Sequence, residues 1–254
     1  MQELIPFLQN LFLLLIEGTV LGLVLVPTAS LSLLISLALP ISAFFNAVLF
    51  FTYNVLGIPL LFAPILIGHL IIITALIFLI YKKPFILMDL ERSAHIPKKE
   101  KIILSTLFIL LISVGLSLSH AMLSAEGSAI GEIQYPSLVD SLFNLANQGE
   151  PKWSNAVAHA MLYILNIASF SAIFLAIRKQ TGLLHNVMVI ATLVVALLLF
   201  MHTAQNYKNV TMLQYVLLSL VCLSLWMKSS HERKYRWLVL AGIFVAASIT
   251  SYSA

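Results

Sequence analysis

Apolar residues run through this chain in long blocks, interrupted at short intervals by prolines, glycines and charged turns. A hydrocarbon core about 30 Å thick is crossed by roughly 20 apolar residues in helical form. Backbone groups in lipid must find partners within their own segment, so such blocks predict helices rather than open strands. The pattern predicts eight, near 5–26, 29–54, 58–81, 102–123, 156–177, 183–203, 211–228 and 237–254. Pro27 precedes the second, Gly57 and Pro59 open the third, and Thr181-Gly182 opens the sixth. Pro40 and Pro64 fall inside runs, where a lost i→i−4 bond predicts a kink. The expected fold class is all-α, a single polytopic transmembrane bundle of about eight spans over 1–254. The first run lacks a basic leader, exceeds a secretory h-region in length and contains Glu17, so it reads as a retained span.

Composition agrees with the pattern. Of 254 residues, 61% are hydrophobic, 9% are charged, and mean hydropathy is +1.02. A soluble domain carries roughly 25% charged residues, so too few polar groups remain here to cover a water-facing surface. The single cysteine, Cys222, excludes an intramolecular disulfide and a thiolate metal site. The net charge of +4 does not point to nucleic acid, because the cations are sorted by loop. Lys82, Lys83, Arg92, Lys98, Lys99 and Lys101 precede the fourth run. Arg178 and Lys179 follow the fifth, and Lys228, Arg233, Lys234 and Arg236 separate the last two. The alternate loops hold only Lys152 and Lys208, a division of 12 against 2. Basic loops stay on the cytoplasmic side. Both termini, the 124–155 segment and the 204–210 turn are therefore expected on the other face of the cell membrane.

The outer segment 124–155 carries Glu126, Glu132, Asp140 and Glu150. Between Ser137 and Gln148 it reads as a short amphipathic helix, with Leu138, Leu142 and Leu145 opposite Asp140, Asn144 and Asn147. Such a helix lies in the interface with its apolar side among the headgroups, where Tyr135 and Trp153 are the expected aromatic anchors. Asp140 there would face a lipid-linked substrate. Ser137 and Asp140 also have the spacing of a capping box. Glu17 is the one carboxylate well inside a run, a placement that insertion scales put at about 2.5–3.5 kcal/mol, so it should face the protein interior. Its functional reading is a proton or ion relay; its structural reading is a hydrogen-bonded acid at a helix contact, beside the small pair Gly18 and Gly22. His69 is mid-span, and His120, His159 and His202 lie near outer ends. No two of these histidines share an i, i+3 or i+4 spacing, so no metal site is called for. No phosphate loop, nucleophile elbow or zincin helix is present.

From span four onward, the order of elements resembles the amino-terminal half of GT-C class membrane glycosyltransferases. The residues that carry this are the 124–155 segment with Asp140, the turn Asn206-Tyr207-Lys208-Asn209, the basic turn Ser229 to Arg236 and the run that opens at Trp237. It covers roughly 100–254 and makes 1–81 accessory helices ahead of a core at 102–254. Family members often pair two acids in the first outer loop, whereas Asp140 has no acidic neighbour. Some carry an acid after the Asn-Tyr turn, where this chain has Asn209. The family is usually longer, so 254 reads equally as a natural end or as a cut within the core. The resemblance implies sugar transfer from a polyprenyl-phosphate donor outside the cytoplasm. Asp140 would be the general base, with Lys152, Lys208, His159 and Glu132 as substrate contacts. No cofactor is evident from the residues, and a divalent cation is compatible with the sequence but not called for by any residue spacing. Partners would be membrane lipid and the lipid-linked sugar. Two other classes fit the same sequence: a transporter using Glu17, Asn46, Asn54 and the proline-broken helices, and a non-catalytic subunit bound to another membrane protein.

Overall fold

A computed structural model describes residues 4–26, 29–59, 62–82, 98–125, 155–180, 183–203, 207–228 and 235–252. Eight helices fill these ranges: α1 Leu4–Leu25, α2 Leu31–Val55, α3 Phe62–Lys82, α4 Lys98–Ala125, α5 Asn155–Gln180, α6 Leu183–Thr203, α7 Tyr207–Lys228 and α8 Tyr235–Tyr252. No strand occurs among the described residues. The interfacial helix expected at 137–148 lies outside them. Segments of α1, α2, α5 and α7 are long and apolar enough to cross a membrane outright: Leu8–Leu25, Leu31–Val55, Ala160–Arg178 and Val210–Met227. The other four helices carry shorter apolar stretches of 10–17 residues. The chain is a membrane protein built as an all-α bundle.

Two expected breakers act differently from their forecast. Gly57 closes α2 instead of opening α3. Its φ of 66° is left-handed, Gly57 N–H donates to Asn54 O, and Ile58 N–H donates to Tyr53 O. This pair of bonds is a Schellman cap, which favours glycine because no Cβ meets the backbone there. Pro64 sits in the first turn of α3, where its missing N–H removes no helix bond. Its carbonyl accepts a hydrogen bond of 2.9 Å from the Tyr53 hydroxyl, which ties the end of α2 to the start of α3. Pro40 is inside α2 as expected, and the helix continues through it.

Helices α2 and α5 are the centre of the bundle. α2 packs on α1, α5, α8 and α3, and α5 packs on α2, α4, α6 and α7. α3 lies at one side against α1 and α2, while α6 lies against α4 and α5. The core between them is Leu14, Leu33, Ile41, Leu111, Leu165 and Phe244 with their neighbours, all nearly free of solvent. Outward faces are apolar too, including Ile67, Leu70, Ile71, Ile77 and Phe78 on α3. An exposed apolar face of this extent in a soluble monomer marks an interaction surface, whereas in a bilayer it meets acyl chains. Contacts between helix ends fix their directions. Arg236, at the start of α8, donates to Val24 O at the end of α1, 3.1 Å away. The cation thus satisfies a last-turn carbonyl and complements the helix dipole. The end of α1 and the starts of α2 and α8 consequently share one end of the bundle, here called the basic end.

The α1–α2 contact depends on Gly18. A Cβ added there would overlap the carbonyl of Ala38, so the two backbones touch in the manner of small-residue membrane contacts. Gly242, by contrast, has nothing within 4 Å of its Cβ position. Gly18→Ala is expected to destabilise the protein in detergent by about 1–3 kcal/mol, the usual range for overpacking. Gly242→Ala should be neutral or gain up to about 1 kcal/mol from helix propensity. Reversible unfolding of the two variants checks the contrast, and equal stabilities would contradict the close approach.

Candidate functional site

Three polar side chains from three apolar helices meet in the interior. Glu17 is fourteenth of the 22 residues of α1, Asn46 sixteenth of the 25 of α2, and His69 eighth of the 21 of α3. At 1.5 Å of rise per residue, all three lie near mid-depth. Glu17 and His69 have no solvent exposure, and Asn46 has 1%. His69 Nδ1 is 2.7 Å from Glu17 Oε2, and His69 Nε2 is 3.2 Å from Asn46 Oδ1. Glycines beside two of these residues allow the backbones to close on the site. Gly18 adjoins Glu17, and Gly68 adjoins His69, where a Cβ would come within 2.5 Å of the Tyr53 hydroxyl.

The partners constrain the protons. Nε2 faces the Asn46 carbonyl oxygen, an acceptor, so it carries hydrogen and donates. Nδ1 and Glu17 Oε2 then hold one proton between them. Either Nδ1–H donates to a carboxylate, or the Glu17 hydroxyl donates to Nδ1. Both arrangements leave the pair with zero net charge, which the apolar surroundings favour. Glu17 Oε1 is buried and has no hydrogen-bond partner. The Glu17 position fits the sequence reading of an interior-facing acid at a helix contact. Its partner was not foreseen, because His69 lies 52 positions away and only the folding of α3 onto α1 reveals it.

The other anticipated residues divide into two groups. Asp140, Glu132 and Lys152 lie outside the described residues. His159 is in the first turns of α5 and Lys208 in the first turn of α7. Those two helices pack on each other; α5 ends beside the start of α2, and six residues separate the end of α7 from the start of α8 at the basic end, so both run the same way. A buried hydrogen bond from Gln214 Nε2 to Asn166 Oδ1 joins them. His159 is two turns before Asn166 in the same register of α5, and Lys208 is six positions before Gln214. His120 and His202 occupy the last turns of α4 and α6. All four positions belong to helix ends at the opposite end of the bundle from Arg236. How near their side chains lie to one another falls outside the described residues.

Sequence reasoning passed over the Asn166–Gln214 pair and its neighbour Ser169, whose buried hydroxyl has no partner. Tyr215 was missed as well; it is fully buried and donates to Pro40 O at 3.0 Å, linking α7 to the centre of α2. Two amides in long apolar runs were the available signal, since unpaired amides are costly in hydrocarbon. No family model, curated protein or solved structure matches this chain.

Removing one partner of a buried charged or proton-sharing pair typically costs 3–5 kcal/mol. His69→Leu is expected to destabilise the protein by about 3 kcal/mol. Glu17→Leu added to it should restore a large part, because no carboxyl then remains buried alone. A double-mutant cycle in bicelles measures the coupling, and strictly additive losses would show that the two residues act separately.

Proposed function

We propose that this chain is a membrane glycosyltransferase, or the amino-terminal half of one, moving a sugar from a polyprenyl-phosphate donor at the non-cytoplasmic face of the cell membrane. The observation that supports it is the joining of α5 to α7 by Asn166 and Gln214. Both helices start at the same end, so the positions of His159 and Lys208 belong to one end of the bundle. The basic loops belong to the other end, which the retention of lysine and arginine assigns to the cytoplasm. In this reading Asp140 takes the proton of the acceptor hydroxyl as the sugar is transferred. Lys152 and Lys208 hold the donor phosphate as point charges, while His159 and Glu132 contact the sugar or acceptor. Base catalysis by a positioned carboxylate is typically worth about 10²–10⁴-fold. Asp140→Asn should lower transfer by that factor in proteoliposomes supplied with a polyprenyl-phosphate sugar. An unchanged rate would remove Asp140 from the chemistry.

The Glu17–His69–Asn46 site favours a second reading, a proton-coupled transporter. An acid buried at mid-membrane with an unpartnered oxygen is what a proton relay needs. Glu17→Gln keeps the shape and removes the exchangeable proton. Under this reading it abolishes pH-driven flux in vesicles while the protein stays folded. Flux equal to that of the unaltered chain would exclude Glu17 from transport.

A further inference from the structure

At the basic end, α2, α4 and α5 splay apart around a cavity of about 660 Å³. Its walls come from the first two turns of α2, the start of the apolar part of α4 and the last three turns of α5. Arg178 stands at its mouth, and the hydroxyls of Ser32, Ser36, Ser105 and Ser171 line it. Ile35, Leu104, Phe108, Phe174 and Leu175 supply the apolar surface between them. Ser171 lies seven positions before Arg178, so the cavity reaches about 10 Å inward from the guanidinium along α5. Its volume is that of a small-molecule site, and its lining combines a cation at the interface with hydroxyls interleaved among leucine, isoleucine and phenylalanine.

The serines are available as donors. Threonines at 19, 52, 74, 106 and 192 each return a hydrogen bond to the carbonyl one turn back. Among the described residues, none of the four cavity serines makes such a bond. Their placement is also ordered: Ser32 and Ser36 share one face of α2, one turn apart. The N-cap of α2, Ser30, makes no side-chain capping bond. The first-turn N–H groups beside Ser32 therefore keep their affinity for an anion. A guanidinium, open hydroxyls and an uncapped helix start border a largely apolar cavity between α2 and α4, two helices joined mainly through α5.

We propose that this cavity binds one anionic glycerophospholipid from the leaflet at the basic end. The phosphate oxygens sit at Arg178, Ser32 and the start of α2, and an acyl chain lies along Ile35, Phe108 and Phe174. Charge complementarity selects the occupant. The loops and helix ends at this end carry 12 of the chain's 14 cations, which attracts an anionic leaflet to it. Arg178 adds directional, paired hydrogen bonds to a phosphate that a diffuse positive field does not supply. The site is at the opposite end from His159 and Lys208, so it is separate from the proposed transfer site and does not rest on it.

Native mass spectrometry of the full chain tests this with three probes of defined composition: phosphatidylglycerol, phosphatidylcholine with the same acyl chains, and inorganic phosphate. One phosphatidylglycerol should be retained about 10-fold more tightly than phosphatidylcholine, a difference of about 1.4 kcal/mol, and inorganic phosphate should not be retained. Arg178→Gln should erase that preference, Arg178→Lys should restore part of it, and Ser105→Phe should lower retention by filling the slot. Arg236→Gln, which removes an equal charge from the same end outside the cavity, should leave the preference intact. Equal retention of the two lipids overturns the proposal, as does equal loss from Arg178→Gln and Arg236→Gln. Retention of inorganic phosphate as strong as that of the lipid would also overturn it, in favour of a free-anion site.

Discussion

One carboxyl group at mid-membrane organises the first three helices. Glu17 can be buried only if another helix brings it a partner, because the lipid offers none and α1 has no base in its span. His69 supplies that partner, and Asn46 fixes which nitrogen of His69 carries hydrogen. The position of α3 follows. Its outer surface is aliphatic and has no preferred neighbour, since acyl chains attract leucine as well as another helix does. The polar contact and the Gly68 approach single out one docking on α1 and α2 from many that would be equal in apolar area.

The same reasoning extends through the bundle. Several contacts between helices contain a polar clasp in an apolar seam. Tyr215 reaches Pro40 from α7 to α2, Gln214 reaches Asn166 from α7 to α5, and Arg236 reaches Val24 from α8 to α1. Hydrocarbon burial is available to any arrangement of these helices. A hydroxyl or amide left in lipid disfavours all arrangements except those that give it a partner. Packing then completes the choice at Gly18, where the backbones touch, and at Gly115, where a Cβ would overlap the Phe170 ring.

The helices were legible in the sequence because apolar length in lipid has one structural meaning. Boundaries at 25, 55, 82, 180, 203 and 228 fall within a few residues of their forecast. Gly57 and Pro64 were read with the wrong helix or role, because a glycine after an apolar run can cap the helix behind it or free the chain ahead of it. The Glu17 site was half legible. Its acid stood out against an apolar background, but the partner lies two helices away and has no spacing rule to announce it. Asn166 and Gln214 were overlooked for a similar reason: single amides are common in membrane helices, and only pairing across a seam gives them weight. The role of Asp140 depends on side-chain convergence in 126–154, which helix positions alone do not supply.

The two ends of the bundle differ in kind, and the difference follows from how each is closed. At the basic end the connections are charged, and the helices carry a cation onto a carbonyl at Arg236 and a cation over a cavity at Arg178. Positive groups there offset the carbonyl ends of α1 and α5, leaving hydroxyls and the start of α2 turned toward whatever anion the leaflet provides. At the other end lie the last turns of α4 and α6 and the first turns of α5 and α7, and the amide clasp of α5 and α7 lies well inside the bundle from there. An end held by cations suits attachment to an anionic surface. The Glu17 pair lies between them, buried in the apolar interior, where only a partner from another helix can satisfy it.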